Sequence, residues 1–148
     1  MQERVEKHRT TRPPAWETLE APRNVAQALR LKESTAKVIL LDCITFLVAN
    51  HLLRTASPEG EPFSTLNGNP FDAQIEADVV AEVEGLIAYV RDMRIDMLVV
   101  SNEVGLGVVP PYDLGRAYRD ILGRANQILA SHADEVLLLV AGIPMKVK

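Results

Sequence analysis

The sequence has little cysteine, no excess of positive charge and no long apolar run. Its single cysteine, Cys43, excludes a disulfide within the chain and fits a reducing compartment. The formal net charge of −4 argues against nucleic-acid binding, which usually needs a basic face. No apolar run reaches the roughly 18 residues of a membrane-spanning helix, and the charged start, residues 1–12, is not a secretory signal. These absences predict a soluble, cytoplasmic protein with neither a nucleic-acid nor a membrane partner.

The composition and the apolar pattern predict a single α/β domain over residues 1–148. The chain is 47% hydrophobic, which is enough for one core. Three short runs rich in Val, Ile and Leu, at residues 37–42, 96–101 and 135–141, alternate with segments of helical period. Uninterrupted runs of this length are typical of strands buried on both faces of a parallel sheet. The alternation therefore favours a right-handed α/β fold with a mainly parallel sheet.

The helices are predicted by apolar stripes with a period near 3.6 residues. Such stripes cover residues 44–53, 71–93 and 112–132, and a shorter helix is expected over residues 22–31. Asp72 stands where a side chain caps the second of these helices. Residues 55–70, rich in Ser, Pro, Gly and Asn, predict a loop.

The first apolar run ends in Asp42, in the manner of a Walker B strand. Buried aliphatic residues would deliver this carboxylate to the carboxyl edge of the sheet, where open α/β folds bind ligands. There it could hold Mg²⁺ and so neutralise nucleotide phosphates. The alternative is that Asp42 caps the helix that begins at Ile44.

The second run leads into a loop, residues 101–111, whose glycines and prolines impose an unusual shape. Glu103 in this loop would lie near Asp42, where two carboxylates could share a metal or bind the hydroxyls of a ligand. The alternative is a structural loop with a solvated glutamate. In the following helix, the spacing of Arg116 and Asp120 predicts an ion pair on one face, with Arg119 one step round the helix. The alternative is that an arginine of this cluster reaches a phosphate.

His8 is the histidine with the most suggestive surroundings. It lies in Glu-Lys-His-Arg-Thr-Thr-Arg, between Glu6 and Arg12. A histidine can attack a nucleoside triphosphate at the α-phosphorus, and Arg9 and Arg12 could stabilise the phosphate charge. His51 and His132 have no comparable surroundings and are interpreted as ordinary helix residues.

Taken in order, these segments resemble the bifunctional adenosylcobinamide kinase and adenosylcobinamide-phosphate guanylyltransferase family. Residues 8–20, His-Arg-Thr-Thr-Arg-Pro-Pro-Ala-Trp-Glu-Thr-Leu-Glu, are similar to its histidine segment. Residues 41–50 resemble its Asp-Cys-Leu-Thr strand and helix, and residues 100–110 its Asn-Glu-Val-Gly loop. Residues 115–127 are similar to its Phe-Arg-Asp and Asn-Gln helix, and residues 133–146 to its closing strand.

The resemblance implies a RecA-like P-loop α/β fold and two reactions. The family phosphorylates adenosylcobinamide with GTP or ATP, and then transfers GMP from GTP to adenosylcobinamide phosphate through a guanylyl-histidine. By resemblance, His8 is the nucleophile, and the nucleotide contacts are Arg9, Thr10, Thr11, Arg12, Glu20 and Asp42. Asp42 is also the position that meets Mg²⁺. The family's members form oligomers, so a homo-oligomer is expected.

One departure from the family pattern concerns the kinase reaction. The family opens with a strand and a Walker A loop, Gly-x-x-x-x-Gly-Lys-Ser/Thr, which nothing in these 148 residues matches. The sequence therefore predicts a fold without the N-terminal strand and Walker A loop, and a guanylyltransferase whose kinase activity depends on a P-loop supplied from elsewhere. The alternative is a non-catalytic remnant that acts only as a binding or oligomer-forming subunit.

Overall fold

The computed structural model describes residues 13–32, 34–54 and 69–148. Its helices and strands follow one another in chain order, and most bounds lie within three residues of the predicted ones. They are α1 Val25–Lys32, β1 Val38–Asp42, α2 Ile44–Arg54, α3 Ala73–Met93, β2 Asp96–Val100, α4 Asp113–His132, β3 Leu137–Val140 and β4 Ile143–Lys146.

Strands β1 and β2 form a parallel sheet, which confirms the α/β prediction. Their register runs from Val38 opposite Asp96 to Asp42 opposite Val100. Apolar side chains on one face of this sheet pack against the core that the helices supply; they are Ile39, Leu41, Met97 and Val99. The carboxyl ends of both strands therefore lie side by side.

The prediction that these strands are buried on both faces is wrong for the described residues. Exposure alternates along β1 and β2, and Leu40 and Leu98 on the outer face are 48% and 57% exposed. A continuous apolar run shows that a strand can be covered on both sides. It does not show which neighbouring element covers either side.

The third apolar run forms a hairpin instead of joining the parallel sheet. Strand β3 pairs antiparallel with β4, with Leu137 opposite Lys146 and Val140 opposite Ile143. The two residues between the strands, Ala141 and Gly142, have φ angles of 51° and 80°. Positive φ at both positions is the geometry of a tight hairpin turn, which returns the chain at once. The partner of β3 is thus β4, the strand that follows it directly in the chain.

The helical stripes supply the core as predicted. On α3, Ile75, Val79, Val83 and Leu86 are almost completely buried, and α4 contributes Ile121, Leu122 and Ala125. The predicted cap is confirmed, because the Asp72 carboxylate accepts a hydrogen bond from the Gln74 amide at 3.0 Å. Within the described ranges, no helix combines the length and apolar character needed to cross a bilayer.

Candidate functional site at the carboxyl edge of the parallel sheet

Asp42 lies at the carboxyl end of β1, beside the end of β2, where its sequence position predicted it. The side chain is exposed, and no hydrogen bond or ion pair links it to another described residue. The alternative role, a cap on the first turn of α2, has no hydrogen bond to support it in the described part of the chain. The carboxylate is thus available to a ligand approaching the edge of the sheet.

A chain of side-chain hydrogen bonds joins the loop after β2 to both neighbouring helices. The Ser101 hydroxyl donates to Asn126 Oδ1 at 2.6 Å, and Asn126 Nδ2 donates to the Asn102 carbonyl at 3.1 Å. Asn102 Nδ2 in turn donates to Thr45 Oγ1 at 3.3 Å. The residues that follow β2 are therefore held against the first turn of α2 and against α4. Sequence reasoning missed this network, although Asn126 stands beside Ala125 on the buried face of its helix.

Tyr118 packs beside this network and keeps its proton at neutral pH. Burial raises the pKa of the Tyr118 phenol above its usual value of 10.0, and the negative charge available to Cys43 acts in the same direction. A hydrogen bond with Thr45 partly opposes this rise in the pKa. The phenol is consequently a neutral hydrogen-bond donor close to the residue that follows Asp42.

The loop at residues 101–111 is shaped by its own polar contacts. Glu103 Oε1 accepts a hydrogen bond from the Gly105 amide at 2.6 Å, and Arg119 Nη2 donates to the Gly105 carbonyl at 3.0 Å. A Cβ at Gly105 would lie 2.7 Å from that carboxylate oxygen, so a larger residue there would displace the Glu103 side chain. These contacts support the structural interpretation of Glu103, and they assign Arg119 to the loop.

The predicted ion pair between Arg116 and Asp120 is wrong. The Arg116 guanidinium instead pairs with Asp113 and donates to the Pro110 carbonyl at 3.2 Å. Helical side chains point toward the N-terminus of their helix, which carries Arg116 back to the first turn and away from Asp120. Arg116 therefore secures the start of α4 at the end of the loop.

Glu20 lies in an exposed segment, residues 13–24, that precedes α1. This segment is tied to α2 by Asn50, whose Nδ2 donates to the Pro22 carbonyl at 3.0 Å. The predicted nucleophile and its neighbours lie outside the described residues; they are His8, Arg9, Thr10, Thr11 and Arg12. Their roles, and that of Glu20, stay predictions.

A buried ionisable pair behind this segment was missed by sequence reasoning. His51 on α2 and Glu82 on α3 are 5% and 9% exposed, and His51 Nε2 lies 3.4 Å from Glu82 Oε1. Glu82 also accepts hydrogen bonds from the Asn24 and Val25 amides at the start of α1. One signal was available, because Glu82 interrupts the apolar stripe of α3 between Val79 and Leu86. The interpretation of His51 as an ordinary helix residue omits this contact.

The donor set suits a hard cation bound together with phosphates. No group of three or more His, Cys, Asp and Glu side chains that could hold a metal exists within the described ranges. Mg²⁺ usually needs only one or two protein carboxylates, because waters and substrate phosphates complete its octahedron. Asp42 alone therefore fits Mg²⁺ that arrives with a nucleotide.

Comparison with known proteins assigns the chain to a family. The model of the family described as cobinamide kinase / cobinamide phosphate guanyltransferase matches residues 1–147. The chain belongs to this family. Its fold is accordingly the family's P-loop-like α/β fold, as the resemblance implied. The match includes residues 8–12 and 20 as well as the sheet edge.

Three curated relatives share 34–38% of their aligned residues with the chain. The bifunctional adenosylcobalamin biosynthesis proteins CobU of Escherichia coli K12 and of Salmonella typhimurium LT2 are each 38% identical over 149 aligned positions. These alignments cover 100% of this chain and 78% of each relative. The bifunctional adenosylcobalamin biosynthesis protein CobP of Pseudomonas aeruginosa PAO1 is 34% identical, with 100% and 75% covered.

Proposed function

We propose that this chain acts in cobalamin biosynthesis as a guanylyltransferase that converts adenosylcobinamide phosphate to adenosyl-GDP-cobinamide. The proposal rests on one main observation: the family match extends over residues 1–147 and so includes the His8 segment as well as the sheet edge at Asp42. The relatives' names, which specify adenosylcobalamin biosynthesis, support the pathway.

The proposed reaction has two balanced steps. The neutral His8 ring attacks the α-phosphorus of GTP, a nitrogen–phosphorus bond forms, and the α–β phosphoanhydride bond breaks to release pyrophosphate. A phosphate oxygen of adenosylcobinamide phosphate then attacks the same phosphorus. The nitrogen–phosphorus bond breaks, and the product carries a new phosphoanhydride bond. The His8 ring is released neutral, as it was before the first step.

The other predicted residues hold the nucleotide during these steps. Arg9 and Arg12 place positive charge near the phosphates, and Thr10 and Thr11 add hydroxyl donors. Glu20 and Asp42 would contact the guanine nucleotide or its metal, and Asp42 would hold Mg²⁺. When bound, Mg²⁺ would neutralise phosphate charge and favour the departure of pyrophosphate.

The kinase reaction of the family would require a phosphate-binding loop in addition to the described residues. The described sheet edge supplies the Asp42 carboxylate, whereas the phosphates of GTP or ATP would need backbone amides of the Walker A kind. The substrate of that step would be adenosylcobinamide itself.

We also propose that the chain works as a homo-oligomer, which is compatible with catalysis and with the alternative of a binding subunit. Apolar side chains are exposed on the outer face of the parallel sheet and on the β3–β4 hairpin. Val38 is 52% exposed, Leu139 65% and Ile143 67%. Exposed apolar side chains grouped on one sheet face are typical of interaction sites.

Labelling by GTP tests the first step. The purified chain is incubated with Mg²⁺ and GTP labelled at the α-phosphate, beside a His8→Ala variant and a His132→Ala variant. His132 is a matched control because it is an exposed histidine at the C-terminal end of α4. We expect protein-bound label that survives alkali, is lost in acid, persists in His132→Ala and is absent from His8→Ala. Equal label on both variants would overturn the assignment of His8.

A further inference from the structure

The segment that leads from the predicted nucleophile into α1 is held at its α1 end by a buried carboxylate. Residues 13–24 form no regular helix or strand, and most of their side chains are exposed. At their end, the Glu82 carboxylate accepts hydrogen bonds from two consecutive backbone amides, those of Asn24 and Val25. A buried carboxylate that receives two backbone donors fixes those donors far more firmly than an exposed side chain can.

His51 completes this anchor from the neighbouring helix. Its Nε2 lies 3.4 Å from Glu82 Oε1, the same oxygen that receives the Asn24 amide, while Oε2 receives the Val25 amide at 3.1 Å. Both oxygens of Glu82 are thus engaged by the start of α1, and the imidazole restricts the rotamer of the carboxylate. Asn24 has a φ of 54°, a left-handed conformation that asparagine tolerates better than most residues.

Helix α2 connects this anchor to the sheet edge. It begins at Ile44, two residues after Asp42, and presents Asn50 and His51 near its other end. Asn50 donates to the Pro22 carbonyl, two residues beyond Glu20, and His51 contacts Glu82. Asn50 is six positions along the helix from Ile44, a rise of about 9 Å. One rigid helix therefore spaces the backbone that carries Glu20 from the strand that carries Asp42.

We propose that Glu82, oriented by His51, is a positioning residue for guanylyl transfer. It fixes the backbone after Glu20, and through α2 it sets the separation between the two carboxylates that are proposed to contact the guanine nucleotide. The proposal deepens the proposed function, on which its kinetic consequence rests. The Asn24 and Val25 amides lie where the exposed segment enters α1, and such first amides have no acceptor within the helix, so Glu82 fixes the point at which the segment ends.

A distance measurement tests the positioning without any activity. Cys43 is the only cysteine, so a Glu20→Cys variant carries two labelling sites, one in the segment and one beside Asp42. Spin labels at these sites are expected to give a narrow distance distribution with Glu82 present. Addition of Glu82→Leu, which keeps the bulk and removes both acceptors, is expected to broaden it. Glu82→Gln retains one acceptor oxygen and is expected to restore part of the narrow distribution. An unchanged distribution in Glu82→Leu would overturn the proposal.

Hydrogen exchange separates a local effect from general loosening. In Glu82→Leu, amides of residues 13–25 are expected to exchange faster, while those of α4 keep their protection. Faster exchange throughout the domain would make Glu82 a core residue only, and the positioning role would be wrong.

The KM for GTP tests whether the position of Glu20 affects nucleotide binding. Loss of a charge-assisted contact at Glu20 is expected to raise the KM for GTP in His8 labelling roughly tenfold or more, with a smaller change in kcat. Glu20→Gln and Glu82→Leu should have similar effects, and the double variant should be no worse than either, because both remove one contact. Multiplied effects would refute positioning through Glu20. If the wild-type chain takes up no label, the proposed function fails, whereas the distance measurement still decides whether Glu82 fixes the segment.

Discussion

Removal of the Asn126 side chain is expected to destabilise the fold and to loosen the sheet edge. Asn126→Ala leaves the Ser101 hydroxyl without its acceptor and the Asn102 carbonyl without its donor, at former distances of 2.6 and 3.1 Å. Each hydrogen bond contributes about 1 kcal/mol to stability. Alanine returns about 0.5 kcal/mol through its higher helix propensity. The expected net loss is about 1–2 kcal/mol, which for a chain of this size lowers Tm by about 3–8 °C.

Thermal and urea unfolding measure this loss, with Gln127→Ala as the matched control. Gln127 is the next residue of the same helix and is exposed, so its replacement changes helix propensity without touching the network. A double-mutant cycle with Ser101→Ala should give a coupling free energy of about 1 kcal/mol between Ser101 and Asn126. If Asn126→Ala unfolds at the same temperature as Gln127→Ala, the network does not hold the edge and the reasoning is refuted.

Three further predictions concern the core, the half-buried Tyr118 phenol and the metal position. Leu122 is 0% exposed, so Leu122→Ala should lower the free energy of unfolding by about 2–5 kcal/mol, measured by urea unfolding. Leu106→Ala, at an 84% exposed position, should lower it by less than about 0.5 kcal/mol. Ultraviolet titration of Tyr118→Phe against the wild type should assign a phenol with a raised pKa to Tyr118. Because the raised pKa of Tyr118 favours the neutral phenol in the folded state, its contribution to stability is complete below pH 10.0 and is lost as the pH rises through the folded-state pKa. Asp42→Asn should change Tm by no more than about 1 °C, since the Asp42 side chain is exposed and has no partner among the described residues. The same variant should weaken the Mg²⁺ dependence of GTP labelling several-fold. An unchanged Mg²⁺ dependence would show that Asp42 does not hold the metal.

The helices and the sheet edge could be predicted because their signals are local. The stripe that includes Ile75 and Leu86 fixes which face of α3 is buried, and Asp72 stands directly before that helix. Asp42 was placed correctly because the carboxyl ends of parallel strands lie at the same edge of the sheet.

The wrong and missing predictions concern residues whose contact partner is distant in sequence, or whose contact depends on the direction of the side chain. An apolar run cannot specify that Leu40 and Leu98 face outward, since that depends on the elements packed nearby. The spacing of Arg116 and Asp120 allowed a pair, but the direction of helical side chains selected Asp113. Glu82 and His51 are 31 residues apart, so only the interruption of an apolar stripe hinted at their contact.

The most direct test of the central claim is a chase of the labelled protein. Protein carrying label from GTP is freed of nucleotide and mixed with adenosylcobinamide phosphate or, as a control, with adenosylcobinamide that lacks the phosphate. We expect label to leave the protein and appear in adenosyl-GDP-cobinamide only with the phosphorylated corrinoid. Label that stays on the protein, or leaves equally with either corrinoid, would contradict guanylyl transfer through His8.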